Sequence, residues 1–258
     1  MQQSLAPGRG GVYRATPSNR SFDADTELTS DVRSTSMRCL STVTLAFLLC
    51  ATSMSKAADI RVVYDEAADH ACGQRDKGEI SPQWIAQLRK VLPEFEALWA
   101  AKSPQMLARA SSLTHHKFAF LPDAVRLTLC NIPSQGIDEP IVNMRYALST
   151  FTSEPVPLRY KVDTAFHEVL HTQLRRFSAW KSKLLLQHLF EPACVRNHLH
   201  LLALQKAVLL SLGEHDALQQ VVHYDSQLPS GCYRRAWAIV NETETAYEAY
   251  VAELANAT

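Results

Sequence analysis

At 258 residues the chain has the length of one large domain or two small ones, and its 26 basic side chains are balanced by 26 acidic ones. With no basic patch or stripe, that balance argues against nucleic acid or an anionic membrane as the partner.

Residues 1–36 are polar, rich in Ser, Thr, Arg and Asp, and read as a non-native or disordered extension ahead of a start at Met37. Arg38, the apolar run from Leu40 to Ala51, and Ser55-Lys56-Ala57-Ala58 then have the order of a secretory signal, so 37–57 is assigned as a signal peptide. The run is too short for a stable membrane anchor. The first 57 residues hold six bases and four acids, so residues 58–258, read as a single domain, carry 20 bases, 22 acids and a net charge of −2. Four cysteines remain there, and an even number in an exported chain implies two disulfides. Three pairings are possible; Cys72 with Cys130 and Cys194 with Cys232 is the favoured one, keeping each bridge within its own half.

Ile60–Tyr64 is β-branched and reads as the first strand. Asp65–Ile80 reads as a loop. Ser81-Pro82 marks a helix start, with Trp84, Ile85, Leu88, Val91 and Leu92 at helical spacing and a kink or restart expected at Pro93. Lys117–Leu121 and Val125–Cys130 read as strands about a Pro122-Asp123 turn, and Ile141–Leu148 as a further strand. Helices are expected over 160–177, 183–190 and 193–212, a mostly irregular segment over 214–231, and a last helix from Tyr233 or Arg234 onward. His198 and His200, two apart on one helix, diverge and read as surface or interhelical residues.

The chemistry concentrates in Phe166-His167-Glu168-Val169-Leu170-His171, which contains His-Glu-x-x-His. Residues four apart share a helix face, so His167 and His171 can offer two imidazoles to one metal ion, while Glu168 stands beside it as a general base for a bound water. A catalytic zinc site needs a third protein ligand. Taking the last helix as continuous from Ala236 to Val251, Glu244 and Glu248 fall within its apolar stripe with Trp237, Val240 and Val251, and a carboxylate on a buried face is costly unless paired or metal-bound. Glu244 is therefore expected as the third ligand and Glu248, one turn on, as the acceptor from a ligand histidine. His223 is the candidate transition-state donor, with Tyr224, Tyr233 and Tyr247 as further candidates.

His167-Glu168-x-x-His171 followed by Glu244-x-x-x-Glu248 resembles the gluzincin metallopeptidases, although the second acid of that family is usually aspartate. The resemblance covers only these two helices. It implies a zincin-like α+β fold: a small N-terminal sheet with helices, then a helical C-terminal half carrying the metal site. It also implies a strand, here 141–148, that binds extended substrate. The expected function is that of an exported peptidase with one Zn2+ ion, acting on peptide or protein substrates. The alternatives are an exported binding protein with a structural metal, and a zinc hydrolase of a non-peptide amide.

Overall fold

The computed structural model describes residues 60–76, 80–118, 121–175 and 182–257. The expected extension 1–36 and signal peptide 37–57 lie outside the described residues, as do Ala119 and Phe120 of one expected strand.

The fold is α+β, with a small mixed sheet and a larger helical part. β1 (Arg61–Tyr64) leads through α1 (Glu66–Asp76) and α2 (Pro82–Thr114) to β2 (Ala124–Thr128), which pairs with it in parallel. A helical crossover is what a parallel pairing needs, because its strands must start at the same end. β3 (Gln135–Gly136) and β4 (Pro140–Asn143) complete the order β1-β2-β4-β3, with β4 parallel to β2 and antiparallel to β3. The short β3 is therefore the edge, and β4 has neighbours on both sides. A 3-10 turn at Arg145–Ala147 ends the expected strand 141–148 at half its length.

α1 occupies the segment expected as a loop. Its sequence has little apolar periodicity, and tertiary links hold it instead. Asp69 is buried and accepts from the Leu129 amide at 2.7 Å and from the Thr128 hydroxyl, and a disulfide joins Cys72 to Cys130. α2 starts as expected, with the Ser81 hydroxyl accepting from the Gln83 amide and Pro82 at the first position. It then runs unbroken through Pro93 and Pro104. Each proline forfeits one helical hydrogen bond, but Leu88, Phe95, Trp99, Met106 and Leu107 bury one continuous face across both, and packing outweighs the loss.

Eight helices are described in all. α3 (Leu158–Leu174), α4 (Lys183–Gln187) and α5 (Ala193–Ser211) follow the sheet, then α6 (His215–Ser226), α7 (Cys232–Val240) and α8 (Ala246–Ala255). α5 packs against α2, α3, α6, α7 and α8. Its second half, Leu201 to Leu209, is buried on every face, with its two polar residues, Gln205 and Lys206, each hydrogen-bonded. Removing one such side chain, Leu202→Ala for example, would cost about 2–5 kcal/mol. α6 replaces the expected irregular segment 214–231. The expected continuous last helix is two helices, separated by a turn at 241–245. No helix among the described residues is long and apolar enough to cross a membrane.

Candidate metal centre

α3 carries His167 and His171 one turn apart, their ring centroids separated by 4.9 Å. Phe166, Val169 and Leu170 bury the other faces of the helix in the core, which turns the two imidazoles toward α5. There His198 completes a cluster, its ring 5.5 Å from that of His167 and 5.1 Å from that of His171. One ring nitrogen of each lies within 4.8 Å of the other two, and among the described residues this is the group that could hold a metal ion.

Two hydrogen bonds determine which nitrogens are available. Nδ1 of His167 lies 3.0 Å from the amide oxygen of Gln205, and the amide nitrogen of Gln205 donates to the Asp163 carbonyl at 3.3 Å. The second contact sets the orientation of the amide, so its oxygen accepts from Nδ1–H and Nε2 of His167 keeps the lone pair. On His198, Nδ1–H donates to the Cys194 carbonyl at 2.6 Å, again leaving Nε2 free. All three histidines titrate below their ordinary range. Burial is the largest cause, and it drives His167 well down and His171 to about 4, with neighbouring imidazoles adding to both. They are neutral at neutral pH, the state in which an imidazole ligates a metal. Three neutral imidazoles with room for a further ligand fit zinc, and equally suit other imidazole-preferring divalent ions.

Glu168 is buried beside this cluster and lines the same cleft as His171 and His198. Burial first, and the charge of Asp225 second, push its carboxyl up to about 8, against the pull of Lys161. Asp225 lies behind it on α6, accepting from the Tyr160 hydroxyl at 2.8 Å and from the Trp237 indole at 2.9 Å. Tyr233, at the start of α7, places its hydroxyl 3.3 Å from Nε2 of His167 and its ring 4.5 Å from that of His198. Burial, with Glu168 and Asp225 nearby, raises the pKa of this phenol far above neutral, so it stays a hydrogen-bond donor.

The cleft over the cluster encloses about 1410 Å³. The edge strand β3 forms one wall, and its Gly136 sits so close to α3 that a Cβ there would lie 2.1 Å from the Glu168 carbonyl oxygen. Opposite, Glu253 accepts from His200 at 2.7 Å and from the Lys183 amide at 2.6 Å, closing the far wall between α4, α5 and α8.

His167, Glu168 and His171 thus come together as expected from the motif. Glu244 and Glu248 do not join them. Glu244 lies in the turn between α7 and α8, Glu248 in the first turn of α8, and both are exposed. The helical count that placed them inside assumed one continuous helix, and the turn at 241–245 breaks that phase. His223 is on the exposed face of α6, paired with Gln227 and away from the cleft. Of the three tyrosines expected as candidate donors, Tyr233 is the one that reaches the three-histidine cluster. Of the surface or interhelical places expected for His198, the structure gives the interhelical one, between α3 and α7, and adds what that reading missed, its position beside the two motif histidines. His198 and His200 do diverge, but one turns to the cluster and the other to Glu253. The signal that could have found it is the helix itself. A histidine on a helix this apolar, one turn after a cysteine, has little solvent to face. No protein family, curated protein or solved structure matches the chain.

Proposed function

We propose that the chain is an exported zinc-dependent peptidase whose metal is held by His167, His171 and His198, with Glu168 as the general base. The observation that carries this reading is the convergence of three neutral imidazoles beside a buried carboxyl, at the floor of a cleft large enough for a peptide. A zinc ion bound there would supply Lewis acidity, lowering the pKa of its water and polarising the scissile carbonyl. Gln205 and the Cys194 carbonyl hold two imidazoles with Nε2 toward the centre. Glu168, whose carboxylate form the positive charge of a bound metal would favour, takes the proton from the attacking water and passes it to the leaving amine. Tyr233 is placed to donate a hydrogen bond to the developing oxyanion, the role first given to His223.

The substrate-binding strand moves as well. Residues 141–148 were expected to pair with substrate, but β4 already has partners on both edges. The free edge at the cleft is β3, through Gln135 and Ile137, and an extended peptide pairing there would pass over Glu168. The gluzincin resemblance rested on His-Glu-x-x-His together with Glu244 and Glu248, and the reading now rests on that motif with a histidine as third ligand, beside an edge strand and a cleft. The two disulfides accord with an oxidising compartment and so with export.

Incubating the zinc-loaded protein with a diverse peptide library, with cleavage read by mass spectrometry, tests the activity. Wild type should cleave and a chelator should stop it, while Glu168→Gln should keep its zinc and cleave nothing. A zinc-loaded wild type that leaves the library intact would contradict the peptidase reading and favour a structural metal or a non-peptide amide.

A further inference from the structure

The Cys194–Cys232 disulfide stands next to two groups of the cluster. It joins the first turn of α5 to the first residue of α7, with a Cα–Cα distance of 5.8 Å across 38 residues of sequence. The residue at neither helix start offers a side-chain cap: Pro192 precedes α5, and Gly231, with φ 67°, precedes α7, where the Ser230 hydroxyl accepts from the Cys232 amide at 3.3 Å. Helix ends held by so few contacts fray readily, since most of their first amides lack helical partners. One turn beyond Cys194 is His198, whose Nδ1–H is bound to the Cys194 carbonyl itself. Directly after Cys232 comes Tyr233, whose hydroxyl meets Nε2 of His167. A single covalent link therefore fixes both helix starts that present the third imidazole and the phenol. The other disulfide, Cys72–Cys130, ties α1 to the segment just after β2 and joins neither helix start that presents His198 or Tyr233.

We propose that Cys194–Cys232 is a positioning crosslink for the metal centre, so that the protein holds its metal tightly with this disulfide formed and weakly once a dithiol opens it. Both cysteines are only partly buried, within reach of a small reductant. The thiolate of the dithiol attacks one sulfur and the mixed disulfide is resolved by its second thiol. The dithiol is thereby oxidised to a cyclic disulfide, and Cys194 and Cys232 gain two electrons and two protons as free thiols. With the link open, the first turns of α5 and α7 separate, and His198 loses the fixed carbonyl that sets its tautomer and direction.

This inference rests on the three-histidine reading but not on peptidase activity, because its readout is metal binding. Zinc affinity is measured by chelator competition for wild type, for the double variant Cys194→Ser with Cys232→Ser, and for Cys72→Ser with Cys130→Ser as the control. Serine is used so that freed thiols cannot ligate the metal. The Cys194/Cys232 variant should bind zinc about 10–100-fold more weakly, the range seen when groups orienting a ligand are lost. The visible absorption of its cobalt-substituted form should also change, reporting a lost imidazole. The control should keep wild-type affinity and spectrum. If the Cys194/Cys232 variant does not fold, wild type is titrated with dithiothreitol, the opened cysteines are mapped by alkylation, and metal release should track opening of Cys194–Cys232. Wild-type affinity and cobalt spectrum in the folded variant, or metal retained after this bridge is open, would overturn the inference alone. An oxidised wild type that binds neither ion would overturn it together with the metal centre.

Discussion

Gln205 and His167 form the most informative pair in the molecule. The amide of Gln205 accepts from Nδ1 of His167 at 3.0 Å and donates to the Asp163 carbonyl at 3.3 Å, so a side chain on α5 sets the tautomer of a motif histidine on α3. Gln205→Leu would leave a buried N–H without an acceptor, which costs about 1–3 kcal/mol. It should also weaken zinc binding by about 10–100-fold. Gln205→Glu keeps an acceptor at the same place and should recover most of the affinity. Chelator competition on the two variants decides it, and equal affinities would show that Gln205 does not orient the ligand.

The contact between β3 and α3 predicts a second outcome. A methyl group at Gly136 would meet the Glu168 carbonyl oxygen at 2.1 Å and the His171 Cβ at 2.8 Å. Neither is the end of a flexible side chain, so strand or helix must shift. Gly136→Ala should destabilise the fold by about 1–3 kcal/mol, the usual range for overpacking. It should also lower zinc affinity, because the displaced atoms belong to the motif turn. A thermal melt at wild-type temperature would show that β3 does not seat against α3.

How far the sequence exposed this arrangement depended on how local each signal was. The motif helix, the start of α2 at Ser81-Pro82 and the extent of α5 were legible because capping and periodicity are short-range signals, whereas cysteine parity implied two disulfides and left three pairings open, of which the favoured one is found. α1 was hidden because long-range links to Asp69 and Cys72 hold it. The uninterrupted course of α2 through Pro93 was hidden because core packing overrides the local rule. Glu244, expected as a third ligand, lies away from the histidines for one geometric reason. Angular counting along a helix holds only while the helix lasts, and the turn at 241–245 resets it, carrying Glu244 into solvent. His198 came from a helix 27 residues after His171, a distance over which no spacing rule operates.

Glu168 predicts a pH dependence in the metal-free protein. Its folded pKa is raised from an ordinary 4.5 to about 8, chiefly by burial. Between those values the native state holds a proton that the unfolded state has released, so stability falls as pH rises through this window. Glu168→Gln lacks that slope. The variant should match wild type near pH 4.5 and exceed it increasingly up to pH 8, by on the order of 1–3 kcal/mol. Urea melts of both metal-free proteins at several pH values test this, and parallel curves would show that the carboxyl is not held protonated.

Zinc binding by wild type, His198→Ala and Glu244→Ala, followed by calorimetry with cobalt spectra alongside, tests the metal centre most directly. The structure predicts one ion per chain for wild type and for Glu244→Ala, and a loss of tight binding for His198→Ala with a changed cobalt spectrum. Tight binding retained in His198→Ala, or lost in Glu244→Ala, would contradict the three-histidine centre.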